Sequence, residues 1–392
     1  MEPTDQRACP VCQCNDRARL HRQTFVRPGL PSPVHYDVVA CRRCGCVYAT
    51  DLPDGTGSAD YYADASHHLH GDGPPAGLTE IHEQFVDHIL RHAPEPQQEA
   101  AILDLGAGGG HFLHRLQRRG FTDLTGLDAS RDANLLAARR YGLPVHAVDA
   151  EDFAPTRAYR LICLCGVLEH LVEPRRILEA AARWLAPDGL LFVAVPDAAR
   201  FSDGQRLEPF QEFALEHVNF FAQGSLDNLL SRCGFAPVSR DSAYNPFYDS
   251  FTLMGLYRKA ELTPSVRADD SAKASVAAYV ARSRRRLAAV NDLLDAHADA
   301  DAPLVVWGVG ELTMRLLATT RLGQANIAGF VDSHPRFHGR TLQGAPIHGP
   351  GWLTGRKDAA VWIMSYVHGN EIRTQASRLG IPSHRLITLP TE

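Results

Sequence analysis

The segment 102–111, with the sequence ILDLGAGGGH, constrains the fold of this chain more than any other. Its apolar run reaches Asp104 and is followed at once by three alternate glycines: Gly106, Gly108 and Gly110. Glycines at this spacing let the backbone turn tightly and approach a bound ligand before a helix begins. Short apolar runs then alternate with amphipathic stretches, from LTGLD at 124–128 through PRRILEAAARWL at 174–185 to GLLFVAV at 189–195. This alternation predicts an α/β fold with parallel strands and crossover helices.

Polar residues after the next two strands extend this loop into a ligand site. Asp128 ends the run LTGLD, and its carboxylate can accept hydrogen bonds from both ribose hydroxyls of an adenosine ligand. In VHAVDAEDF, Asp149 can accept from the adenine amino group and Ala150 can donate a backbone N–H to the ring. His111 stands where a dinucleotide loop needs a small residue. The series predicts a site for another adenosine-containing ligand, although aspartates that only cap helices would produce the same pattern.

Two C-x-x-C pairs near the start of the chain predict a metal site. Each pair can place two thiolates on one turn, and two such turns complete a tetrahedral zinc site with no open position for water or substrate. The predicted ligands are Cys9, Cys12, Cys41 and Cys44. Cys14 and Cys46 lie two residues beyond each pair and are alternative ligands, and a redox-active pair is the other alternative. We therefore expect a structural zinc ion that organises the fold.

Charge and composition limit the partners and divide the chain. A formal net charge of -5 and a pI of about 6.4 disfavour a nucleic-acid partner, which needs a basic surplus. The apolar runs are too short to cross a bilayer and the start is polar and acidic, so we expect a cytoplasmic protein without a membrane partner. We further expect a monomer or homodimer. The predicted segments are a zinc-binding module with a lid at 1–75, a ligand-binding domain at 76–259, a helical linker at 260–300 and a C-terminal α/β domain at 301–392.

The ordered loop, aspartates and later strands resemble the class I S-adenosylmethionine-dependent methyltransferases. The resemblance covers roughly 100–258 and includes LICLCGVLEHLVEPRRILEAAARWLAPDGLLFVAVPD at 161–197, a fourth strand, helix, Pro-Asp-Gly turn and fifth strand. It implies a Rossmann-like core that binds S-adenosyl-L-methionine, with the methionine carboxylate near the first-strand aspartate and the glycine loop. The cofactor contacts that it implies are Asp104, Gly106, Gly108, Gly110, Asp128, Asp149, Ala150, Cys165 and Gly166.

The run EHVNFF at 216–221 supplies candidate catalytic groups, since histidine is the natural base near neutral pH. With the cysteine-rich start and the C-terminal block, it resembles the antibiotic-pathway C-methyltransferases of nucleotide-linked 4-keto-deoxysugars. That resemblance implies His217 as the base that makes the enolate, Glu216 as its helper and His170 as a second histidine. The chain departs from that pattern at Ala214, where a tyrosine is expected, and at AYNPFYDSF, which replaces a His-Gly-Gly loop.

The lid and the C-terminal block complete this resemblance. Tyr61 and Tyr62 resemble a tyrosine-containing lid, and a surface loop is the alternative. In PLVVWGVGELTMRLL, a strand turns at Gly308 and Gly310 and continues as a helix, which predicts a Rossmann-like domain. Thr313 stands at the third glycine position of a dinucleotide fingerprint, so we expect no second cofactor there. The resemblance implies that this domain assists substrate binding and assembly.

The sequence therefore predicts a three-part α/β enzyme: a zinc-binding module, a class I methyltransferase core and a C-terminal Rossmann-like domain. Its predicted reaction is methylation of a small biosynthetic metabolite, at a carbon beside a keto group of a nucleotide-linked deoxysugar. O- or N-methylation of another small natural-product metabolite is the alternative. An RNA methyltransferase and a non-catalytic binding protein are further alternatives, and the acidic balance and the intact Asp-Gly-Asp series weigh against them.

Overall fold

The computed structural model describes residues 7–28, 30, 32–53, 76–93, 98–204, 207–262, 265–297, 302–356 and 359–390. Tyr61 and Tyr62 of the predicted lid lie outside these ranges. The chain divides into two compact units, each assembled from separate segments. Unit 1 comprises residues 1–20, 38–205 and 215–278, and unit 2 comprises residues 21–37, 206–214 and 279–392.

A seven-stranded sheet forms the centre of unit 1. Its strands are β4 (Ile102–Leu105), β5 (Leu124–Asp128), β6 (Val145–Ala147), β7 (Tyr159–Cys165), β8 (Leu185–Pro196), β10 (Phe235–Asn245) and β11 (Ser250–Lys259). They lie in the order β10-β11-β8-β7-β4-β5-β6. β4 to β8 pair in parallel, whereas β11 runs antiparallel to both β8 and β10. The predicted α/β core with a parallel sheet is therefore confirmed.

Helices cover both faces of this sheet because its central strands are apolar on both sides. The helices of unit 1 are α1 (Ala76–His92), α2 (His111–Arg118), α3 (Arg131–Tyr141), α4 (Pro174–Trp184) and α5 (Gln223–Arg232). One apolar cluster joins Phe85, Phe112 and Phe192, and another joins residues such as Leu164 and Leu229. Ser130 caps the start of α3, where its side chain accepts a hydrogen bond from the backbone of Ala133.

The Pro-Asp-Gly segment at 187–189 lies within a strand, where the sequence predicted a turn before the strand. α4 ends at Trp184 and β8 begins directly at Leu185. In the pairing of β8 with β7, Tyr159 lies opposite Leu185 but Leu161 lies opposite Leu190. The Pro-Asp-Gly residues are therefore accommodated by a shift in the register of the two strands. Gly189 suits this irregularity because a Cβ there would lie 2.9 Å from the carbonyl oxygen of Tyr159.

A small sheet adjoins the cysteine-rich start. It contains β1 (Arg17–Phe25), β2 (Val34–Cys41), β3 (Val47–Thr50) and β9 (Asn219–Phe220), in the order β1-β2-β3-β9. β3 and β9 pair antiparallel, with Val47 opposite Phe220 and Tyr48 opposite Asn219. The short run after the candidate base His217 is thereby joined to the segment that follows the second C-x-x-C pair.

A long helix, α6 (Ser271–His297), lies between the two α/β blocks, with residues 271–278 in unit 1 and residues 279–297 in unit 2. Unit 2 also holds a six-stranded sheet in the order β14-β15-β13-β12-β16-β17. These strands are β12 (Leu304–Trp307), β13 (Ile327–Val331), β14 (Thr341–Leu342), β15 (Ala345–His348), β16 (Ala360–Ile363) and β17 (Leu386–Thr388), accompanied by α7 (Glu311–Thr319) and α8 (Gly369–Arg378). Thr313 is fully buried in α7, and its hydroxyl donates to the carbonyl oxygen of Gly308. Across the described ranges, no helix combines the length and the apolar character that a membrane crossing needs.

Candidate functional site

The glycine loop leaves β4 in a conformation that requires glycine. Gly106, Gly108 and Gly110 have φ values of 73°, 51° and 77°, in the left-handed region. A Cβ on Gly106 would lie 2.6 Å from a methyl group of Val167, whereas a Cβ on Gly108 would meet nothing within 4 Å. The loop is thus packed against the segment after β7 at its first glycine and open at its second, where a ligand can approach the backbone.

Asp104 at the end of β4 is a buried carboxylate with an unused acceptor. Its side chain is 2% exposed, and its Oδ1 has no hydrogen-bond partner among the described residues. Burial, and secondarily the charge of Asp128, raise the pKa of Asp104 well above its usual range. A buried oxygen of this kind favours a cationic ligand group that supplies the missing donor.

Asp128 is held by backbone N–H groups from two segments of the chain. Its Oδ2 accepts from the N–H of Gly108 at 2.9 Å, and its Oδ1 accepts from the N–H of Ser130 at 2.9 Å. Each carboxylate oxygen has a second lone pair, so the predicted role toward ribose hydroxyls is compatible with these bonds. Burial raises the pKa of Asp128, while the two N–H donors oppose that shift. The side chain is held in one orientation beside the glycine loop.

The other predicted cofactor contacts follow the neighbouring strands. Asp149 and Ala150 lie just after β6, and Ala150 begins a short 3-10 helix that ends at Asp152. Cys165 ends β7 and is followed by Gly166, whose φ is 71°. Because β4, β5, β6 and β7 are parallel, these residues and the glycine loop all lie at the carboxyl edge of one sheet. That edge is where open parallel sheets bind ligands.

A cluster of one carboxylate and two imidazoles lies next to this loop. Ligand atoms of Glu169, His170 and His217 lie within 4.8 Å of one another, and the two histidine ring centroids are 4.8 Å apart. The Nδ1 of His170 lies 3.1 Å from the backbone oxygen of Glu216. A carbonyl only accepts, so Nδ1 of His170 carries the hydrogen, and in the neutral ring Nε2 keeps a lone pair.

Glu169 is the residue of this cluster that the sequence analysis missed. Glu216 was predicted as the helper of His217, but the carboxylate that the fold brings to both histidines is that of Glu169. The V-L-E-H run at 167–170 could have identified Glu169 as a candidate, since it places an acidic residue directly beside the candidate histidine His170. Glu169 also follows Val167, the residue packed on Gly106, so the cluster and the glycine loop are neighbours.

The side chain of Glu169 is 4% exposed, and its Oε2 has no hydrogen-bond partner within the described part of the chain. Burial raises the pKa of Glu169 to about 8 from 4.5, so the carboxyl group of the free protein is largely protonated at neutral pH. A neutral carboxyl group in this position can donate a hydrogen bond as well as accept one.

Replacing Glu169 with glutamine is expected to increase the free energy of unfolding at pH 8 and to leave it nearly unchanged near pH 4. The folded pKa lies above the unfolded value, so the stability that Glu169 contributes is full at low pH and is lost as pH rises through about 8. A shift of that size corresponds to at most about 5 kcal/mol. Chemical denaturation between pH 4 and 8 measures the difference. The exposed Glu80→Gln is the control, and an equal effect at both pH values would contradict the prediction.

The four predicted metal ligands are brought together at the start of the chain. The sulfur atoms of Cys9, Cys12, Cys41 and Cys44, the four-cysteine cluster, are buried and lie within 4.8 Å of one another. Cys9 and Cys44 are 3.6 Å apart, and Cys12 and Cys41 are 3.4 Å apart. A tetrahedral zinc ion with Zn–S bonds of about 2.3 Å separates its sulfur ligands by about 3.8 Å, so the donor set fits zinc. Cys46 is also buried, and its sulfur contacts the carbonyl oxygen of Val47.

Comparison with known families matches two parts of the chain. Residues 78–240 match a family model described as a methyltransferase domain. Residues 301–387 match a family model described as C2185-like, N-terminal.

Relatives with curated names match part of the chain. A ubiquinone biosynthesis O-methyltransferase of Hydrogenovibrio crunogenus is 28% identical over 172 residues, which are 40% of this chain and 70% of that protein. The enzyme of the same name from Xylella fastidiosa is 32% identical over 133 residues, which are 31% of this chain and 51% of that protein. Among solved structures, the N-methyltransferase NodS of Bradyrhizobium japonicum, in complex with S-adenosyl-L-homocysteine, is 20% identical with a TM-score of 0.40, covering 51% of this chain and 98% of NodS.

Proposed function

We propose that this protein is a class I S-adenosylmethionine-dependent methyltransferase that methylates an acidic carbon or hydroxyl of a small biosynthetic metabolite, a proposal supported by the match of residues 78–240 to a family model described as a methyltransferase domain. The observation that carries the proposal is the contact between the glycine loop and the segment that bears Glu169 and His170. Two imidazoles and a buried carboxyl group beside a methyl donor can remove a proton from the acceptor and hold it.

We assign the cofactor to the carboxyl edge of the large sheet. The open backbone at Gly108 and the fixed carboxylate of Asp128 suit its methionine and ribose parts, with Asp149 and Ala150 toward the adenine. The unpartnered Oδ1 of Asp104 suits the ammonium group of the methionine part, because a second carboxylate would be repelled there. Cys165 and Gly166 complete the lining on the side of β7.

Replacing Asp104 with asparagine is expected to weaken S-adenosylmethionine binding by roughly 10- to 100-fold, the range of one charge-assisted hydrogen bond. Because the folded pKa of Asp104 is raised, ionisation of Asp104 in the unfolded chain destabilises the cofactor-free fold above the unfolded pKa, and asparagine removes this effect. The variant should therefore unfold at no lower temperature at pH 7. Calorimetry and thermal unfolding measure the two effects. The exposed Asp132→Asn serves as control, and unchanged affinity in Asp104→Asn would remove Asp104 from the site.

For the acceptor we propose a carbon beside the keto group of a nucleotide-linked deoxysugar. His217 takes the proton from that carbon, and the resulting enolate carbon forms a bond to the methyl group as the bond from sulfur to methyl breaks, releasing S-adenosylhomocysteine. The neutral carboxyl group of Glu169 can donate a hydrogen bond toward the developing enolate oxygen, while His170, whose N–H is committed to the backbone oxygen of Glu216, lies beside it. Glu216 contributes its backbone oxygen, which orients His170.

The experiment that tests this proposal follows a deuterium label at the acceptor carbon. Purified protein is incubated with S-adenosylmethionine and candidate keto sugars deuterated beside the carbonyl, and products are analysed by mass spectrometry. C-methylation is expected to release one deuterium for each methyl group gained. Methyl transfer with full retention of deuterium would contradict carbon as the acceptor.

O-methylation of another small metabolite is the second candidate. The curated relatives reported above are named ubiquinone biosynthesis O-methyltransferases, at 28–32% identity. The same His217 would then remove the proton of a hydroxyl group, and the label experiment separates the two because a hydroxyl acceptor leaves the neighbouring carbon untouched.

We also propose that the four-cysteine cluster holds a structural zinc ion. The donor set supports this, because four buried sulfur atoms fill a tetrahedral shell and leave no position for substrate. The ion would supply folding free energy to a segment with a small core of its own, and no step of the methyl transfer is assigned to it.

A further inference from the structure

The guanidinium group of Arg7, two residues before Cys9, is hydrogen-bonded by all three of its nitrogens. It donates to the backbone oxygens of Leu171 at 3.4 Å, of Val172 at 3.2 and 2.7 Å, of Val218 at 2.9 Å and of Ala49 at 3.1 Å. It also donates to Oδ1 of Asn219 at 2.6 Å. Arginine has five N–H donors in a rigid plane, so one side chain fixes several separate segments at once.

Asn219 continues this network toward the cluster beside the glycine loop. Its Nδ2 donates to the backbone oxygens of Leu168 at 2.7 Å and of Leu171 at 2.8 Å. Arg7 can only donate, which settles that the oxygen of the Asn219 amide faces Arg7 and that the nitrogen faces the two carbonyls. The backbone N–H groups of Val218 and Asn219 both donate to the backbone oxygen of Glu169, at 2.8 and 3.0 Å.

These hydrogen bonds hold the backbone segments that carry both histidines. His170 lies inside the segment 168–172, four of whose carbonyl oxygens accept from the network, and His217 directly precedes Val218. The ring of His217 meets that of His170 edge to face, at an interplanar angle of 69°. The mutual position of the two rings therefore depends on donors that neither histidine carries.

The residues of this hydrogen-bond network lie next to the four-cysteine cluster along the chain. Arg7 precedes the first C-x-x-C pair, and β3, which follows the second pair, places Tyr48 opposite Asn219. The N–H of Ala49 in β3 donates to the oxygen of Val218 at 2.9 Å. Both cysteine pairs thus continue within a few residues into groups that hold the segment 218–220.

We propose that Arg7 and Asn219, the Arg7–Asn219 clamp, are positioning residues that couple the four-cysteine cluster to His170 and His217. The inference deepens the proposed function and rests on it for the role of the two histidines. Without the clamp, the histidines move relative to the cofactor, while the cofactor site on β4, β5 and β6 keeps its own contacts. The expected signature is a loss of kcat without a loss of S-adenosylmethionine affinity.

The test uses the full chain with Arg7→Met, Asn219→Asp and Arg42→Met. Arg42 lies inside the second C-x-x-C pair and is exposed, so its substitution is the matched control. Asn219→Asp keeps the size of the side chain and its acceptor toward Arg7 but removes both donations to backbone oxygens, so it stays informative if Arg7→Met does not fold. Zinc content, S-adenosylmethionine affinity, kcat and the ring ¹⁵N chemical shifts of His170 and His217 are measured.

For Asn219→Asp, and for Arg7→Met where it folds, kcat should fall by about 10- to 100-fold, the effect of a displacement near 1 Å, with cofactor affinity and zinc content within about 3-fold of wild type. The ring shifts of both histidines should change, and Arg42→Met should match wild type. Unchanged ring shifts, or a loss of cofactor affinity as large as the loss of kcat, would overturn the proposal. The ring shifts need no acceptor, so they test the clamp even if the proposed reaction is wrong.

Discussion

Replacing His217 with alanine is expected to lower kcat by roughly 10²- to 10⁴-fold, the usual contribution of a positioned general base. The imidazole lies in the cluster with Glu169 and His170, beside the glycine loop, and its loss leaves the acceptor proton without its proposed base. The affinity for S-adenosylmethionine should stay within about 2-fold, since the proposed cofactor contacts follow β4 to β7. Single-turnover kinetics and calorimetry measure the two quantities separately.

His92→Ala is the control for this variant, because His92 is an exposed histidine in the last turn of α1. His170→Ala distinguishes the two imidazoles. The N–H of His170 is bonded to the backbone oxygen of Glu216 and we do not assign this ring as the base, so kcat is expected to fall less in His170→Ala than in His217→Ala. A His217→Ala protein that keeps kcat within a few-fold of wild type would remove His217 as the base.

Replacing Cys41 with serine is expected to abolish stoichiometric zinc binding and to lower the temperature of unfolding sharply. Four thiolates share one ion, and structural zinc sites supply on the order of 10 kcal/mol to the folding of small segments. Because the Arg7–Asn219 clamp starts from the same segment, kcat should fall more steeply than cofactor affinity. Elemental analysis and thermal unfolding with and without a chelator check the expectation.

Cys14→Ser is the matched control, since Cys14 lies two residues beyond the first pair and outside the four-cysteine cluster. It should retain one zinc per chain and the wild-type unfolding temperature. A Cys41→Ser protein that still binds one zinc ion would show that a neighbouring thiol such as Cys46 replaces it, and would contradict the proposed ligand set.

Much of the fold and of the proposed cofactor edge was predictable because the signals are local. Alternation of apolar runs identifies parallel strands, and a glycine directly after a buried strand marks a turn that only glycine adopts easily. The positive φ values of Gly106 and Gly108 follow from that short segment, and the position of Asp128 beside them follows from the parallel pairing of β4 with β5. The same reasoning placed the four cysteines together, since their spacing alone defines two turns.

Glu169 and Arg7 were not predicted because their roles depend on contacts between residues distant in sequence. Arg7 bonds to groups 42 to 212 residues away, and nothing in its immediate neighbourhood distinguishes it from an exposed arginine. The backbone oxygen of Glu169 accepts from Val218 and Asn219, which are distant in the sequence, so the residues beside Glu169 in the chain do not reveal its surroundings. The Pro-Asp-Gly segment was predicted as a turn from its own three residues. Its place inside β8 depends on the pairing with β7, where the register shifts, and that pairing is not visible in the local sequence.

The pairing of β3 with β9 has a consequence for the order in which the chain can fold. Tyr48 and Asn219 are neighbours in the small sheet but are separated by more than 170 positions along the chain. Closing so long a loop is slow, and on the ribosome it must wait until β9 has left the exit tunnel. The two cysteine pairs can capture a metal ion long before that moment. Early metal capture would therefore give the nascent chain a preformed surface onto which the proposed catalytic segment later docks. Synthesis under zinc limitation should then yield mainly aggregated chains, with little folded protein of reduced activity.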